Sequence, residues 1–250
     1  DIGEGETHEY ASGISAGEVI KNVHGRKSGA VAAFVNGEER DMSFALNENC
    51  KVEPILGDSE EGLYILRHSC AHLLAQAVTQ LYPDAKPTIG PPIEHGFYYD
   101  FAMHPIGDEE LRQIEKRMKE LVKQNIPIER EELDNESLRD IFSSNPFKLE
   151  IMDEKIGHDV GSSAYRQGDF IDLCKGPHVA LTSQLRWFKL TSTSQAYWRA
   201  DKDRGSLVRI YGMCYPSKDG LKERERQIQE AARRDHKKIG KEMGLYMINE

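Results

Sequence analysis

The sequence has little cysteine, no long apolar run and no excess of positive charge, and each absence excludes a class of protein. Four cysteines among 250 residues are too few and too scattered for a disulfide framework, so we expect a reducing, cytoplasmic environment. Apolar runs span only a few residues, which is far short of a membrane helix, and no signal-peptide pattern is found. The formal net charge of −9 argues against nonspecific binding of nucleic acid through bulk charge.

The composition that remains is that of a globular protein. Hydrophobic residues make up 38% and charged residues 30% of the chain, which is enough apolar surface for a buried core. The length fits one or two domains. Because the sequence starts with Asp1 rather than Met, we expect a trimmed or processed chain.

Residues 1–58 have the pattern of a small mixed domain. Ser15 and Glu18 have the spacing of a capping box at the start of a short helix. Asn36-Gly37 is typical of a tight hairpin. Strands are predicted for Ala30 to Val35, for a segment through Met42 and Phe44, and for Cys50 to Leu56. Strands around one helix indicate a ubiquitin-like, β-grasp fold.

Residues 59–216 are predicted to form a larger α+β domain. Apolar residues recur at helical spacing from Leu63 to Leu81, after a Ser/Glu-rich stretch that is suited to capping. An aromatic strand is expected at Phe97 to Phe101, and Asp108 is predicted to cap a second amphipathic helix. Further strands are expected at Phe170 to Cys174, Trp187 to Leu190 and Leu207 to Cys214. Helices and strands occur in clusters rather than in strict alternation, which favours α+β over α/β.

Residues 217–250 are charged, locally basic and helical in propensity up to about Met243. We predict a connector helix that closes on the preceding domain and leads to an absent catalytic domain. A solvated helix face explains the charge at least as well as contact with RNA.

Two separated His/Cys pairs are the strongest chemical pattern. His68 and His72 lie at i and i+4, so both project from one helix face. Asp172, Cys174 and His178 surround a Gly-Pro turn after a predicted strand. The two pairs have the ligand types of a tetrahedral zinc site. They equally fit a metal-free pocket of acids, bases and hydrogen-bonding groups, and spacing does not choose between the two.

Several motifs occur in the order found in threonyl-tRNA synthetases, and the sequence resembles that family over essentially its whole length. They are RHSCAHLL at 67–74, IGP at 89–91, GFYYD at 96–100, DLCKGPH at 172–178, RIYG at 209–212 and RDHKKIG at 234–240. The last resembles the family's connector before the ligase domain. The resemblance implies an N-terminal β-grasp (TGS-like) domain and an editing domain, without the ligase and anticodon-binding domains.

The family's editing activity removes serine that has been wrongly attached to threonine tRNA. Serine lacks one methyl of threonine, which is worth only about 1–3 kcal/mol of discrimination, so a second site must hydrolyse the wrong ester. The resemblance therefore implies hydrolysis of seryl-tRNA(Thr) and sparing of threonyl-tRNA(Thr). Since no nucleotide-binding motif is found, we expect no ligase activity from this chain.

The resemblance also assigns the site residues. Catalytic roles are implied for His68, His72, Lys148, Asp172, Cys174 and His178, and substrate binding for Gly90 and Tyr99. His68 is expected to act as base or to orient water near neutral pH. Lys148 is expected to stabilise the oxyanion or to hold a water molecule, and Asp172 to accept from the substrate amine or to orient a histidine.

No cofactor is expected in this part of the family. Zinc on His68, His72, Cys174 and His178 is the alternative, and ATP and magnesium are expected only in the ligase domain. The predicted partner is the tRNA(Thr) acceptor end carrying serine, with no membrane contact, and the full-length enzyme is expected to form a homodimer through the absent domain. Two other hypotheses for the function are a non-catalytic, zinc-bearing RNA-binding module and a zinc-dependent editing protein of the alanyl-tRNA type.

Overall fold

The computed structural model describes residues 7–25, 27–155 and 163–234. The chain divides into two compact units, Asp1–Pro216 and Ser217–Glu250. Helices and strands are both abundant and occur in clusters, so the prediction of a mixed α+β protein is confirmed. The predicted boundary near residue 58 lies inside the first unit and stays a prediction.

The described part of the chain contains helices and strands with the following bounds. The helices are α1 Ala16–His24, α2 Glu60–Leu81, α3 Asp108–Gln124, α4 Asn135–Ile141, α5 Pro146–Lys155 and α6 Lys218–Arg233. The strands are β1 Ile14–Ser15, β2 Ala30–Val35, β3 Glu38–Arg40, β4 Ala45–Leu46, β5 Val52–Leu56, β6 Lys86–Pro87, β7 Pro92–Ile93, β8 Gly96–Ala102, β9 Ile128–Glu132, β10 Ser163–Gln167, β11 Phe170–Leu173, β12 Trp187–Tyr197 and β13 Ser206–Tyr215.

The N-terminal module, which we define as residues 7–56, consists of α1 and β1 to β5. The predicted capping box is confirmed, because the Ser15 hydroxyl accepts from the Glu18 amide at 3.2 Å and the Glu18 carboxylate accepts from the Ser15 amide at 3.3 Å. Strands β3, β2 and β5 form an antiparallel sheet in that order, and β1 pairs with β4. The assignment of this module to the β-grasp fold stays a prediction.

The chain between β3 and β4 differs from the expected strand. Asn36 and Gly37 have φ values of 51° and 84°, which gives the expected tight hairpin. However, β3 ends at Arg40, and the Phe44 amide donates to the Asp41 carbonyl at 3.0 Å. The prediction of a strand through Met42 and Phe44 is therefore wrong. A turn there directs Asp41 toward the rest of the first unit.

Helix α2 runs through the centre of the first unit. The Ser59 hydroxyl accepts from the Gly62 amide at 3.0 Å, so the expected capping is confirmed. Most residues between Ile65 and Val78 are buried, which makes α2 a core helix rather than a helix with one apolar face. Its core continues into the N-terminal module through Val31 and Ile55. The histidines of α2 therefore project into the interior.

A five-stranded antiparallel sheet packs against α2. Its order is β12, β13, β8 and β6, and β7 pairs with the first two residues of β8, Gly96 and Phe97. Helix α3 packs on α2 and β12. The predicted cap at Asp108 is wrong, because the capping position is Gly107, whose amide donates to Glu110 at 2.7 Å. Strand β8 carries Tyr99 on the face toward the core.

A second sheet supplies the other side of the site. It has the antiparallel order β11, β10 and β9, and α4 and α5 pack near it through a small core of their own. The sequence did not predict β9, β10, α4 or α5. Strand β11 ends at Leu173, so it delivers Asp172 and the loop that follows to the interior.

The second unit is described only through α6. The Ser217 hydroxyl accepts from the Gly220 amide at 3.1 Å, and Arg226 pairs with Glu223 at 2.8 Å. No residue of this helix is buried, so its charges are solvated. Residues 235–250, including most of the RDHKKIG motif, lie outside the described residues. None of the helices in the described ranges combines the length and the apolar character that crossing a bilayer requires.

Candidate active site

Four side chains from two distant segments meet beside α2, and we call them the His/Cys cluster. Their possible ligand atoms all lie within 4.8 Å of one another, and the members are His68, His72, Cys174 and His178. The Cys174 Sγ atom lies 3.3 Å from Nε2 of His68 and 3.2 Å from Nε2 of His178. His68 is half-buried, whereas the other three members are buried.

The loop after β11 holds Cys174 and His178 in place. The Cys174 amide donates to the Ser163 carbonyl at 3.1 Å, and the Ser163 hydroxyl donates to the Cys174 carbonyl at 2.6 Å. The Gly176 amide donates to the Cys174 sulfur at 3.3 Å. The following peptide bond, Gly176–Pro177, is cis. As expected, the strand ends before this Gly-Pro pair, and residues 174–179 form neither helix nor strand.

Lys148, Asp172 and Tyr99 form a second group, which we call the lysine network. Lys148 Nζ lies 2.5 Å from Asp172 Oδ1 and donates to the Tyr99 hydroxyl at 3.1 Å. That hydroxyl donates to Asp172 Oδ2 at 2.5 Å. The same Oδ2 atom lies 3.8 Å from Nε2 of His72. The lysine network thus adjoins the His/Cys cluster through Asp172.

Gly90 lies against the ring of Tyr99. A Cβ atom at position 90 would stand 2.1 Å from Tyr99 Cδ2, which no side chain tolerates. The Asp100 amide donates to the Ile89 carbonyl at 3.0 Å and fixes this approach. Gly90 therefore lies beside the lysine network, where it permits Tyr99 to take its position. All eight residues that the family resemblance assigned to the site lie close together, whereas their individual roles stay predictions.

The histidines of the cluster are neutral at physiological pH. Burial and, to a lesser extent, the neighbouring His72 lower the pKa of His68 to about 3 against the opposing effect of Asp172. Burial likewise lowers the pKa of His72 to about 4, against the opposing effect of Asp172. Burial and the two neighbouring histidines hold the pKa of His178 well below its ordinary value. Neutral imidazoles donate one hydrogen bond and accept another, but these three are weak proton acceptors.

Asp172 is ionised despite its burial. Burial by itself raises the pKa of this carboxyl group, but Lys148, His72 and the Tyr99 hydroxyl outweigh that effect, so the pKa lies below its ordinary value. Burial and the Asp172 charge raise the pKa of Tyr99 well above its ordinary value. Tyr99 therefore stays a hydroxyl donor. An ionised carboxylate that accepts from a phenol and pairs with an ammonium group is a fixed, polar structure in a dry site.

Three further residues contact the site without having been predicted. The Ser69 hydroxyl lies 3.0 Å from Nδ1 of His178 and accepts from the Val179 amide at 3.1 Å. The Asp41 carboxylate accepts from the His178 amide, and the Tyr165 ring contacts the His178 ring. Ser69 lies inside the RHSCAHLL motif, so the sequence already placed it next to His68. Nothing local in the sequence marks Asp41, which contacts the loop from 137 residues away.

The donor types of the His/Cys cluster fit a zinc ion, but the outer contacts fit one less well. A histidine that ligates a metal usually donates its second ring N–H to a carboxylate, a carbonyl or water. Among the described residues, the buried Nδ1 atom of His68 has no hydrogen-bond partner. A zinc ion at this place would be held by His68, His72, Cys174 and His178, and it would act there as a Lewis acid.

Comparison with known proteins places this site in a family. Residues 163–211 match the family described as "Threonyl and Alanyl tRNA synthetase second additional domain". This match contains Asp172, Cys174 and His178, while the histidines of α2 and Lys148 lie before it. Residues 163–211, which carry part of the site, therefore correspond to an accessory domain of threonyl and alanyl synthetases.

The relatives are similar along nearly the whole chain. The chain is 42% identical to the threonine–tRNA ligase of Rubrobacter xylanophilus over 245 residues, which cover 97% of this chain and 38% of that protein. It is 40% identical to the enzyme of Streptococcus thermophilus over 250 residues, covering 99% and 39%. It is 47% identical to that of Thermoplasma volcanium over 209 residues, covering 84% and 31%. The chain belongs to the threonine–tRNA ligase family and spans less than two fifths of the length of each of these relatives.

Proposed function

We propose that this chain hydrolyses the ester of seryl-tRNA(Thr) and spares threonyl-tRNA(Thr). The observation that carries the proposal is the contact between the two groups of the site, in which Asp172 lies beside both Lys148 and His72. It joins an ionised, ordered polar network to neutral imidazoles in one buried place. The family relation supports an editing role for a site in this domain.

The reaction that we propose is the attack of water on the ester carbonyl carbon. The carbon–oxygen bond to the ribose breaks, and the ribose oxygen takes the proton that the water releases. Free serine and uncharged tRNA are the products. Such a reaction requires an oriented water and a donor for the developing oxyanion.

His68 is the residue that we assign to the water. His68 is the one half-buried residue of the cluster, and its Nδ1 atom has no hydrogen-bond partner among the described residues. A pKa of about 3 keeps this imidazole neutral, so one ring nitrogen can accept a hydrogen bond from water but does not take up its proton. We therefore assign His68 to orienting the water, which narrows the earlier alternative of base or water orientation.

Lys148 and Tyr99 are the donors that we assign to the substrate. Both lie within hydrogen-bond distance of each other and of Asp172, so their positions are fixed before a substrate arrives. Preorganised donors stabilise a developing oxyanion without a cost of reorganisation. The Asp172 carboxylate is assigned to the substrate ammonium group, since its negative charge attracts that positive group.

We propose that the site works without a bound metal. The missing outer contact of His68 supports this proposal, and so does the direct contact between Cys174 and two imidazoles. The acceptor end of tRNA(Thr) is the proposed partner. A homodimer of the full-length enzyme and a cytoplasmic location stay predictions.

The experiment that tests the proposal is a deacylation time course on seryl-tRNA(Thr). The chain is expected to accelerate hydrolysis over buffer, and His68→Ala is expected to slow it by about 10²-fold, as is typical for a group that positions water. Cys50→Ser, in the N-terminal module, is the control and is expected to leave the rate unchanged. A chain that binds tRNA but releases serine no faster than buffer would support the non-catalytic module instead.

A further inference from the structure

We propose that Asp41 of the N-terminal module is a positioning residue for the loop that carries Cys174 and His178. This inference rests on the proposed function, because it concerns the rate of the same hydrolysis. Asp41 lies in the turn between β3 and β4, in a part of the chain to which the sequence assigned no role in the site. This carboxylate joins the module to the loop of the site.

Both oxygens of the Asp41 carboxylate are used on the site. Oδ1 accepts from the backbone amide of His178 at 2.9 Å, and Oδ2 accepts from the hydroxyl of Tyr165 at 2.6 Å. His178 and Tyr165 are almost completely buried, so both donors lie in a dry region. Hydrogen bonds to a carboxylate are stronger than bonds between neutral groups, and removing it leaves two donors of buried residues without this partner.

Tyr165 contacts both Asp41 and a second point of the loop. Its ring packs edge-on against the His178 ring, with centroids 4.4 Å apart. Its hydroxyl group lies where a side chain of residue 176 would be, since a Cβ atom on Gly176 would stand 1.8 Å from that oxygen. Asp41 thus fixes the hydroxyl that lies against the backbone of the turn.

The loop is held from two sides. On the α2 side, Ser69 contacts the His178 ring and the Val179 amide. From the N-terminal module, Asp41 accepts from the His178 amide. Loss of Asp41 removes the hydrogen bond of the His178 backbone, and loss of Ser69 removes a contact of its ring. Because His178 contacts Cys174 at 3.2 Å, the sulfur is expected to shift with it.

The test compares Asp41→Ala with Asp41→Asn in the 250-residue chain. Asp41→Ala removes both acceptors, and we expect kcat for seryl-tRNA(Thr) to fall by about 10- to 100-fold while KM changes by less than about twofold, because misplacement of reacting groups acts on the chemical step. Asp41→Asn keeps an oxygen for the His178 amide, and we expect it to restore most of kcat. Glu53→Ala is the matched control, since this exposed carboxylate on β5 pairs only with Lys51 among the contacts described, at 2.9 Å, and we expect no change.

Amide hydrogen exchange provides a readout that does not depend on activity. In Asp41→Ala the His178 amide is expected to exchange at least about 10-fold faster, with little change for amides of α3. Unchanged exchange and unchanged kcat in Asp41→Ala would overturn the inference, as would equal losses in Asp41→Ala and Glu53→Ala. If the unmodified chain hydrolyses no seryl-tRNA, the proposed function fails. Faster exchange at His178 would then still show that Asp41 holds the loop.

Discussion

Lys148 Nζ lies 2.5 Å from Asp172 Oδ1, and the two side chains are 3% and 2% exposed. A buried pair of this kind costs desolvation when it forms, and removing one partner leaves an uncompensated charge in the interior. Hydrophobic side chains of similar size often replace such pairs without loss of stability. The presence of the pair beside three neutral histidines is therefore better explained by chemistry than by stability.

The first prediction separates these two roles of Lys148. Lys148→Met is expected to destabilise the protein by about 3–5 kcal/mol, because Asp172 is left charged and buried. Adding Asp172→Asn removes that charge, so the double variant is expected to regain much of the stability. Deacylation of seryl-tRNA(Thr) is expected to be at least about 10²-fold slower in both variants than in the unmodified chain. Urea unfolding and a deacylation assay measure the two effects, and a double variant with normal activity would contradict the assignment of Lys148.

The second prediction concerns the approach of Gly90 to Tyr99. Gly90→Ala places a Cβ atom 2.1 Å from the Tyr99 ring, so the ring must move and the lysine network must open. We expect a loss of about 1–3 kcal/mol in the free energy of unfolding, as for other overpacked sites, together with slower hydrolysis.

Gly107→Ala is the control for this substitution. The nearest atom to a Cβ at position 107 is a Glu110 carboxylate oxygen at 3.9 Å, and the change is expected to cost less than about 1 kcal/mol at this helix cap. Equal losses of activity in the Gly90 and Gly107 variants would show that the contact with Tyr99 has no special importance.

The third prediction is a pH dependence of stability. The folded pKa of His68 is about 3, below its ordinary value of 6.5, so the unfolded chain takes up a proton first as the pH falls. The contribution of His68 is complete above about pH 6.5 and decreases as the pH falls toward its folded pKa. His68→Gln is therefore expected to reduce the slope of the unfolding free energy against pH by about 1.4 kcal/mol per pH unit between pH 6 and 4.

Denaturant unfolding at several pH values measures this slope. At pH 8 the histidine is neutral in both the folded and the unfolded chain, so the two proteins are expected to have the same slope there. An unchanged slope between pH 6 and 4 in the variant would mean that His68 is not held neutral by burial.

The fourth prediction concerns metal content. We expect the purified chain to hold well under one equivalent of zinc after dialysis, and addition of a chelator to leave the rate of hydrolysis unchanged. Elemental analysis measures the first and the deacylation assay the second. Stoichiometric zinc that survives dialysis, with activity lost on chelation, would support an editing mechanism of the zinc-dependent type.

Elements that carry their own local pattern were predictable from the sequence. Helix α2 has helical spacing and a capping serine at Ser59, and β2 has an apolar run that ends in Asn36-Gly37. The two His/Cys pairs were also recognisable, because each pair is close in sequence. These features depend on contacts within a few residues, which a linear pattern contains.

Elements that depend on distant contacts were not predictable. Strands β9 and β10 are short and polar and exist through their pairing with each other and with β11. Helix α5, which carries Lys148, has no marked apolar face, so only the family resemblance singled out this lysine. Asp41 reaches His178 from a turn, at a place where the sequence predicted a strand. Tertiary contacts across the chain determine these features, and local propensity does not reveal them.

The most direct test of the central claim compares two esters on the same tRNA. The chain is incubated separately with seryl-tRNA(Thr) and threonyl-tRNA(Thr), and the release of each amino acid is followed over time. A pocket that accepts serine and crowds the additional methyl of threonine is expected to hydrolyse the seryl ester at least about 10-fold faster, since one methyl is worth roughly that discrimination or more. Equal rates for the two esters would contradict the account, because a site that does not distinguish them would also destroy the correct product.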